Sequence, residues 1–363
     1  MILEKKLEQK KIPLIPSCTP EEWEELREQY KQTFINEEYG KPIPAPTEIS
    51  FEEGRMHDAN FCAGFGLQYE VTAHTVVCGK PFDFSFSVCL PTTEGPYPFV
   101  VFNDFARGEP CRYVPAEELM QSGFAILHLC YEDITSDDGD FTTGLAGVVY
   151  PDGGKNRTEN DPGKIMMWAW ANCRVMDYAM TLSCLDHKNG AVAGHSRLGK
   201  TALVTGMLDE RFRYVISNDS GCSGDGLFRG RESGERIADI TRRFPYWFCP
   251  NFMKYADRHK YDFPGDQHML LATVAPRIVM VGAAAEDAWA DPISQFQCCF
   301  AASQAWKNLG MPGLICPDRN ANEGENFDEG NVCFHLRPGR HFMSRIDWNI
   351  YLATIRKKMK LDK

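Results

Sequence analysis

The chain has 363 residues, of which 43% are hydrophobic, 25% charged and 12% aromatic, a composition that excludes a disordered protein. Its formal net charge of −11, with no clustered Lys/Arg footprint, excludes nucleic acid as the expected partner. No run approaches the ~18 apolar residues of a membrane span, and the opening MILEKKLEQKKIPLIP lacks an apolar h-region, so no membrane partner is expected; the sequence as written reads as cytoplasmic, or as secreted if a leader has been removed.

Residues 1–60 are polar, with a helix-like charged stretch from Pro20 to Gly40, and are expected to form an N-terminal helical brace or lid. Residues 61–363 are expected to form a single catalytic domain, because no linker, repeat or low-complexity tract divides them. From Leu67 to Leu90 the text turns β-rich, and Phe82, Phe84 and Phe86 alternate with Asp83, Ser85 and Ser87, as in an antiparallel strand with one buried face. After Pro98, short apolar strands (PFVVFND, GFAILHLC, AVAGHS, YVISND, RIVMVGA, GLICP) alternate with helical segments, the last being WNIYLATIRKKM. This order predicts an α/β protein: a mostly parallel central sheet with helices on both faces, a three-layer sandwich, and antiparallel strands at its N-terminal edge. Two connections are long, Tyr131 to Asp161 and Ser220 to Pro276, and loops of that size in a compact domain usually carry function. The fourteen cysteines are scattered without a CxxC pair, so free thiols are expected and neither a metal nor a cofactor is signalled.

The strongest chemical signal is AVAGHSRLGKTALVTGML. Ala191 to Gly194 reads as a buried strand, Arg197 onward as a helix, and Ser196 stands at the joint. This resembles the nucleophile elbow of the α/β-hydrolase fold, although the second glycine, Gly199, comes one residue later than in G-x-S-x-G. A serine hydroxyl needs a base oriented by an acid. His341 follows Gly339 in a loop before the final helix and is the favoured base, whereas His335 lies in the apolar run VCFHL and is expected to be packed. Asp219, after YVISND, and Asp287, after RIVMVGA, compete as the acid, with Glu286 as a weaker third choice. His195, beside the nucleophile in a tight turn, reads as structural.

With these residues in place, the chain from Val192 to about Trp348 resembles carbohydrate esterase family 15, the glucuronoyl esterases. The resemblance rests on GHSRLGK, DERFRYVISNDSGCSG, FPYWFCPNF, DQHMLLATVAPR, AEDAWADP and FHLRPGRH, in the family's order. It implies that Arg197 helps form the oxyanion hole, that Lys200 contacts sugar hydroxyls and that Trp289 lines the uronate site; Glu235 lies near another sugar-binding carboxylate of the family. Trp247 reads equally as core or platform, and His268 as structural. The implied reaction is acyl transfer on a glucuronate ester, a small-molecule or oligosaccharide substrate, with no cofactor. The alternatives are an acetyl xylan esterase or another carbohydrate deacylase on the same fold, and a catalytically silent carbohydrate-binding relative.

Overall fold

The computed structural model describes residues 1–231, 233–256 and 262–361. Ten strands among them form one sheet: β1 (Glu48–Asn60), β2 (Gly66–Val77), β3 (Lys80–Pro91), β4 (Tyr97–Asp104), β5 (Ala125–Cys130), β6 (Leu185–His195), β7 (Tyr214–Asn218), β8 (Ile278–Ala284), β9 (Asn326–Phe327) and β10 (Val332–Arg337). The spatial order is β1-β2-β3-β5-β4-β6-β7-β8-β10-β9. β5, β4, β6, β7, β8 and β10 run parallel to one another, while β1, β2 and β3 pair antiparallel at one edge. This is the α/β-hydrolase sheet.

In β3 the rings of Phe82, Phe84 and Phe86 are buried and Asp83 is exposed, as the period of two requires. The central strands are apolar on both sides because both faces are covered. In β4, Phe99 and Val101 join the core cluster that contains Trp168, Leu198 and Phe296, while Val100 and Phe102 join the opposite cluster with Trp348 and Tyr351. The helices Lys164–Ala179, Arg197–Leu208 and Pro292–Ala302 cover the first face, and Arg345–Leu361 the second.

The stretch 1–60 is helical only as far as Tyr39. Helix α1 (Ile2–Gln9) and helix α2 (Pro20–Phe34) bury Leu3, Leu7, Trp23 and Phe34 in the first core cluster. α2 starts where Thr19 and Glu22 form a capping box and Pro20 occupies the first turn. Residues 48–60, expected to belong to the helical brace, are instead the edge strand β1. Most of its side chains are exposed, so it lacks the alternation that marks a half-buried strand. No helix among the described residues is long and apolar enough to cross a membrane.

Candidate active site

β6 leads straight into the helix Arg197–Leu208, and Ser196 at the joint adopts φ 57° and ψ −123°. A non-glycine residue there carries strain of order 1–3 kcal/mol, which the surrounding structure must impose. Gly194 is required by contact, and Gly199 sits in a tight one. A Cβ on Gly194 would sit 2.1 Å from the carbonyl oxygen of Leu198, and one on Gly199 would lie 3.0 Å from Ser217 Oγ and 3.1 Å from the oxygen of Gly194. At Gly199 the first helical turn passes close to β7 through Ser217, so a small residue suits this position. Leu198 is fully buried in the core.

His341 lies in the loop after β10. Its Nδ1–H donates to Asp287 Oδ2 at 2.5 Å, which fixes the tautomer and makes Nε2 the basic nitrogen. The His341 ring packs beside His195, the residue before the nucleophile, with centroids 4.5 Å apart. Burial alone would raise the Asp287 carboxyl, but the hydrogen bond and charge of His341 outweigh it and hold the group below its ordinary value.

Asp219 is close as well: carboxylate oxygens of Asp219 and Asp287 and a ring nitrogen of His341 all lie within 4.8 Å of one another. It is engaged differently. With φ 47° it turns into the protein, where Oδ1 accepts the Ala284 N–H at 2.9 Å and Oδ2 stands 3.5 Å from the Arg337 guanidinium. Burial, and then the charge of Asp287, push its carboxyl well above the usual range. Of the three acids weighed from sequence, Asp287 makes the hydrogen bond to His341. Glu286 points to solvent and pairs with Arg340 at 3.6 Å.

Arg197 is not a solvated cap. Its guanidinium pairs with Asp137 and lies over the rings of Trp247 at 4.9 Å and of Phe105 and Phe244 at 5.6 Å. Trp247 Nε1 donates to Asp137 Oδ1 at 2.7 Å, and Phe244 stacks on Trp247 at 3.9 Å. Asp137 and Phe244, from the two long connections, thus position the arginine and were not singled out from sequence; Trp247 is buried, and its ring carries the Arg197 guanidinium. The backbone N–H of Arg197, at the helix N-terminus, is one of the amides that no helical carbonyl satisfies.

Lys200 is buried, and its ammonium donates to the Ser220 carbonyl. Burial lowers its pKa, partly offset by the charge of Glu235, which is also buried. The Glu235 backbone N–H donates to the oxygen of Trp289 at 2.9 Å, tying its segment to the loop that carries Asp287. Trp289 itself is 44% exposed, with the Arg243 guanidinium 4.9 Å from its ring centre.

His195 is structural in the expected sense: Nδ1 bonds Asn218 Oδ1 at 2.7 Å, its ring stacks on Tyr113, and burial followed by the charge of His341 pushes its pKa down to about 3. His335 is packed and bonds Asp347 at 2.8 Å. All fourteen cysteines are free.

A family model for fungal glucuronyl esterase matches residues 74–310. A carbohydrate esterase of an unknown prokaryotic organism is 36% identical over 250 residues, covering 69% of this chain and 57% of that protein. The 4-O-methyl-glucuronoyl methylesterase of Podospora anserina is 28% identical over 305 residues, covering 81% and 56%. The chain thus spans little more than half the length of these two relatives. Among solved structures, a glucuronoyl esterase from Solibacter usitatus superposes with a TM-score of 0.84 at 28% identity over 94% of each chain. A promiscuous esterase of carbohydrate esterase family 15 from a marine bacterial metagenome gives 0.82 at 28% identity over 93% of each. The family model covers well over half of the chain, and the chain belongs to the glucuronoyl esterases of carbohydrate esterase family 15.

Proposed function

We propose that the chain is a serine carboxyl-ester hydrolase that cleaves glucuronate or 4-O-methyl-glucuronate esters. The observation that carries the reading is the 2.5 Å hydrogen bond from His341 Nδ1 to Asp287, set beside the elbow that holds Ser196. Ser196 Oγ attacks the ester carbonyl and its proton passes to His341 Nε2. The Arg197 guanidinium, clamped by Asp137 and Trp247, and the Arg197 backbone N–H meet the oxyanion, a kind of contact worth ~2.7–4 kcal/mol per donor. The alcohol leaves with the proton from His341, and water repeats the sequence to release the uronate and restore Ser196.

Trp289 serves as an exposed platform for the sugar ring, while Lys200 and Glu235 form the buried polar floor behind it. The names of the relatives and a sugar-sized surface made by Trp289 with Lys200 and Glu235 favour a uronate over an acetate. Steady-state hydrolysis of methyl and benzyl glucuronate, beside acetylated xylose, tests this in wild type and Ser196→Ala. The expected result is glucuronate turnover that falls by about 10⁶-fold in the variant. Turnover of acetylated xylose alone would replace the substrate class, and activity retained by Ser196→Ala would remove the mechanism.

A further inference from the structure

Outside the triad, a second cluster of ligating side chains converges beneath the loop that follows β4. Asp104 ends β4, His128 lies in the adjacent parallel strand β5, and Cys111 comes from the connecting loop. One ligating atom of each lies within 4.8 Å of the others. Asp104 Oδ2 receives both neighbours, His128 Nε2 at 2.9 Å and Cys111 Sγ at 2.7 Å. Its other oxygen accepts the Phe105 backbone N–H at 2.6 Å, so the carboxylate is aimed rather than free to turn.

The far side of the imidazole is fixed too. His128 Nδ1 stands 2.6 Å from Glu109 Oε1, and Glu109 is in turn held by Ser87 Oγ at 2.5 Å and Gln68 Nε2 at 2.6 Å. The side chains of Asp104 and Glu109 are completely buried and that of His128 is 2% exposed. A carboxylate behind a histidine whose opposite nitrogen faces a second carboxylate and a thiol is the arrangement that orients metal-bound imidazole.

We propose that Asp104, Cys111 and His128 form a zinc-class divalent metal site, with Glu109 as the residue that positions His128. Tetrahedral zinc with N, O and S ligands would set the N···O separation at about 3.3 Å and the S···O separation at about 3.5 Å. Those are modest openings from the separations seen here. Zinc is preferred to calcium or magnesium because the set combines a thiolate and an imidazole with a single carboxylate ligand. Two openings provide an approach: a cavity of about 620 Å³ is lined by Cys111 and Glu109, and one of about 490 Å³ by Glu109 and His128.

The positions 104, 111 and 128 form no compact motif, which is why spacing alone predicts no metal. The site would pin the segment 105–113 to the sheet. That segment supplies Phe105, which packs against Arg197, and Tyr113, which stacks on His195, so the metal would brace one wall of the active site without touching the reacting atoms.

The test loads the full chain with Zn²⁺ or Co²⁺, removes excess by desalting, and measures metal per chain by elemental analysis and the cobalt adduct by absorption. The expected result is one metal per chain, with a thiolate-to-cobalt charge-transfer band and a rise in Tm on loading. Cys111→Ser should lose the band and the Tm response while keeping the metal-free Tm, because it removes only the thiol. Glu109→Gln should bind roughly 10–100-fold more weakly yet keep the band. His128→Gln removes the imidazole that links two buried carboxylates and is expected to destabilise the fold, so Cys111→Ser decides. Failure of the wild type to retain metal, or equal retention by wild type and Cys111→Ser, would overturn the proposal and leave a buried imidazolium between two carboxylates.

Discussion

Replacing Asp287 by asparagine and by alanine should give different losses, and the difference reports on Asp219. An amide at position 287 can donate to Nδ1 of His341 and trap the tautomer that cannot act as a base at Nε2, so Asp287→Asn is expected to lose about 10⁴-fold in kcat. Alanine imposes no tautomer and also removes a charge that opposes ionisation of Asp219. With carboxylate oxygens of the two residues within 4.8 Å, the Asp287 charge holds the Asp219 carboxyl up, and its removal lets that carboxyl ionise more easily. Burial, the larger cause of the raised Asp219 value, remains. Asp219 therefore ionises at lower pH in Asp287→Ala than in wild type, yet still above the ordinary carboxylate range. Its charged form is the one able to accept from Nδ1, so activity should recover as pH rises through its pKa. The expected loss at neutral pH is about 10²-fold. Asp219→Ala alone should stay within about tenfold of wild type, and the double variant should fall to the asparagine level. The assay is steady-state hydrolysis of methyl glucuronate across pH, with thermal melts to check folding. Equal losses for Asn and Ala with no recovery in alkali would refute the second acid, and a deeper loss from Asp219→Ala than from Asp287→Ala would refute the assignment itself.

Arg197→Lys keeps the charge but loses the planar fork that spans Asp137 and the ring of Trp247, so kcat should drop more than about tenfold with a smaller change in KM; near-wild-type kcat in the same assay would sink the oxyanion role. Gly199→Ala would press a methyl against Ser217 Oγ and the Gly194 oxygen and should destabilise by about 1–3 kcal/mol, read as a lowered denaturation midpoint at unchanged slope. Glu38 is fully buried, and burial pushes its carboxyl up to about 8 in spite of the hydrogen bond from Gln267. Its folded value exceeds its unfolded one, so its contribution is whole in acid and is lost as pH rises from about 4.3 through about 8. Glu38→Gln, which cannot ionise, should flatten that decline in melts from about pH 5 to 9, and parallel curves for the two proteins would contradict it.

The elbow was legible because three local signals coincide on a few residues: an apolar strand, small neighbours and a helix start around Ser196. His341 was legible by position, downstream of the strands read from sequence, although the last of those, GLICP, is irregular here and the strand before the histidine is β10, the run VCFHLR. The choice between Asp219 and Asp287 was not, since both follow buried strands; what separates them is the inward turn of Asp219 and its capture by the Ala284 amide. Asp137 carries no signal in a loop rich in acids, and its place beside Arg197 exists only once residues 60 positions apart are brought together. β1 escaped notice for a different reason: an edge strand exposed on both faces has no hydrophobic period to read.

That same edge bears on how the protein behaves in company. A long unpaired strand offers a row of backbone donors and acceptors to any other chain that can lie alongside it. β1 is interrupted by register shifts at Glu53/Met56 and Met56/Asp58, and Glu48, Glu52, Glu53 and Asp58 are exposed along it. Two copies meeting edge to edge would face irregular pairing and juxtaposed carboxylates, on molecules that already carry a net charge of −11. The open end of the sheet is thereby guarded against self-templating while remaining exposed to solvent.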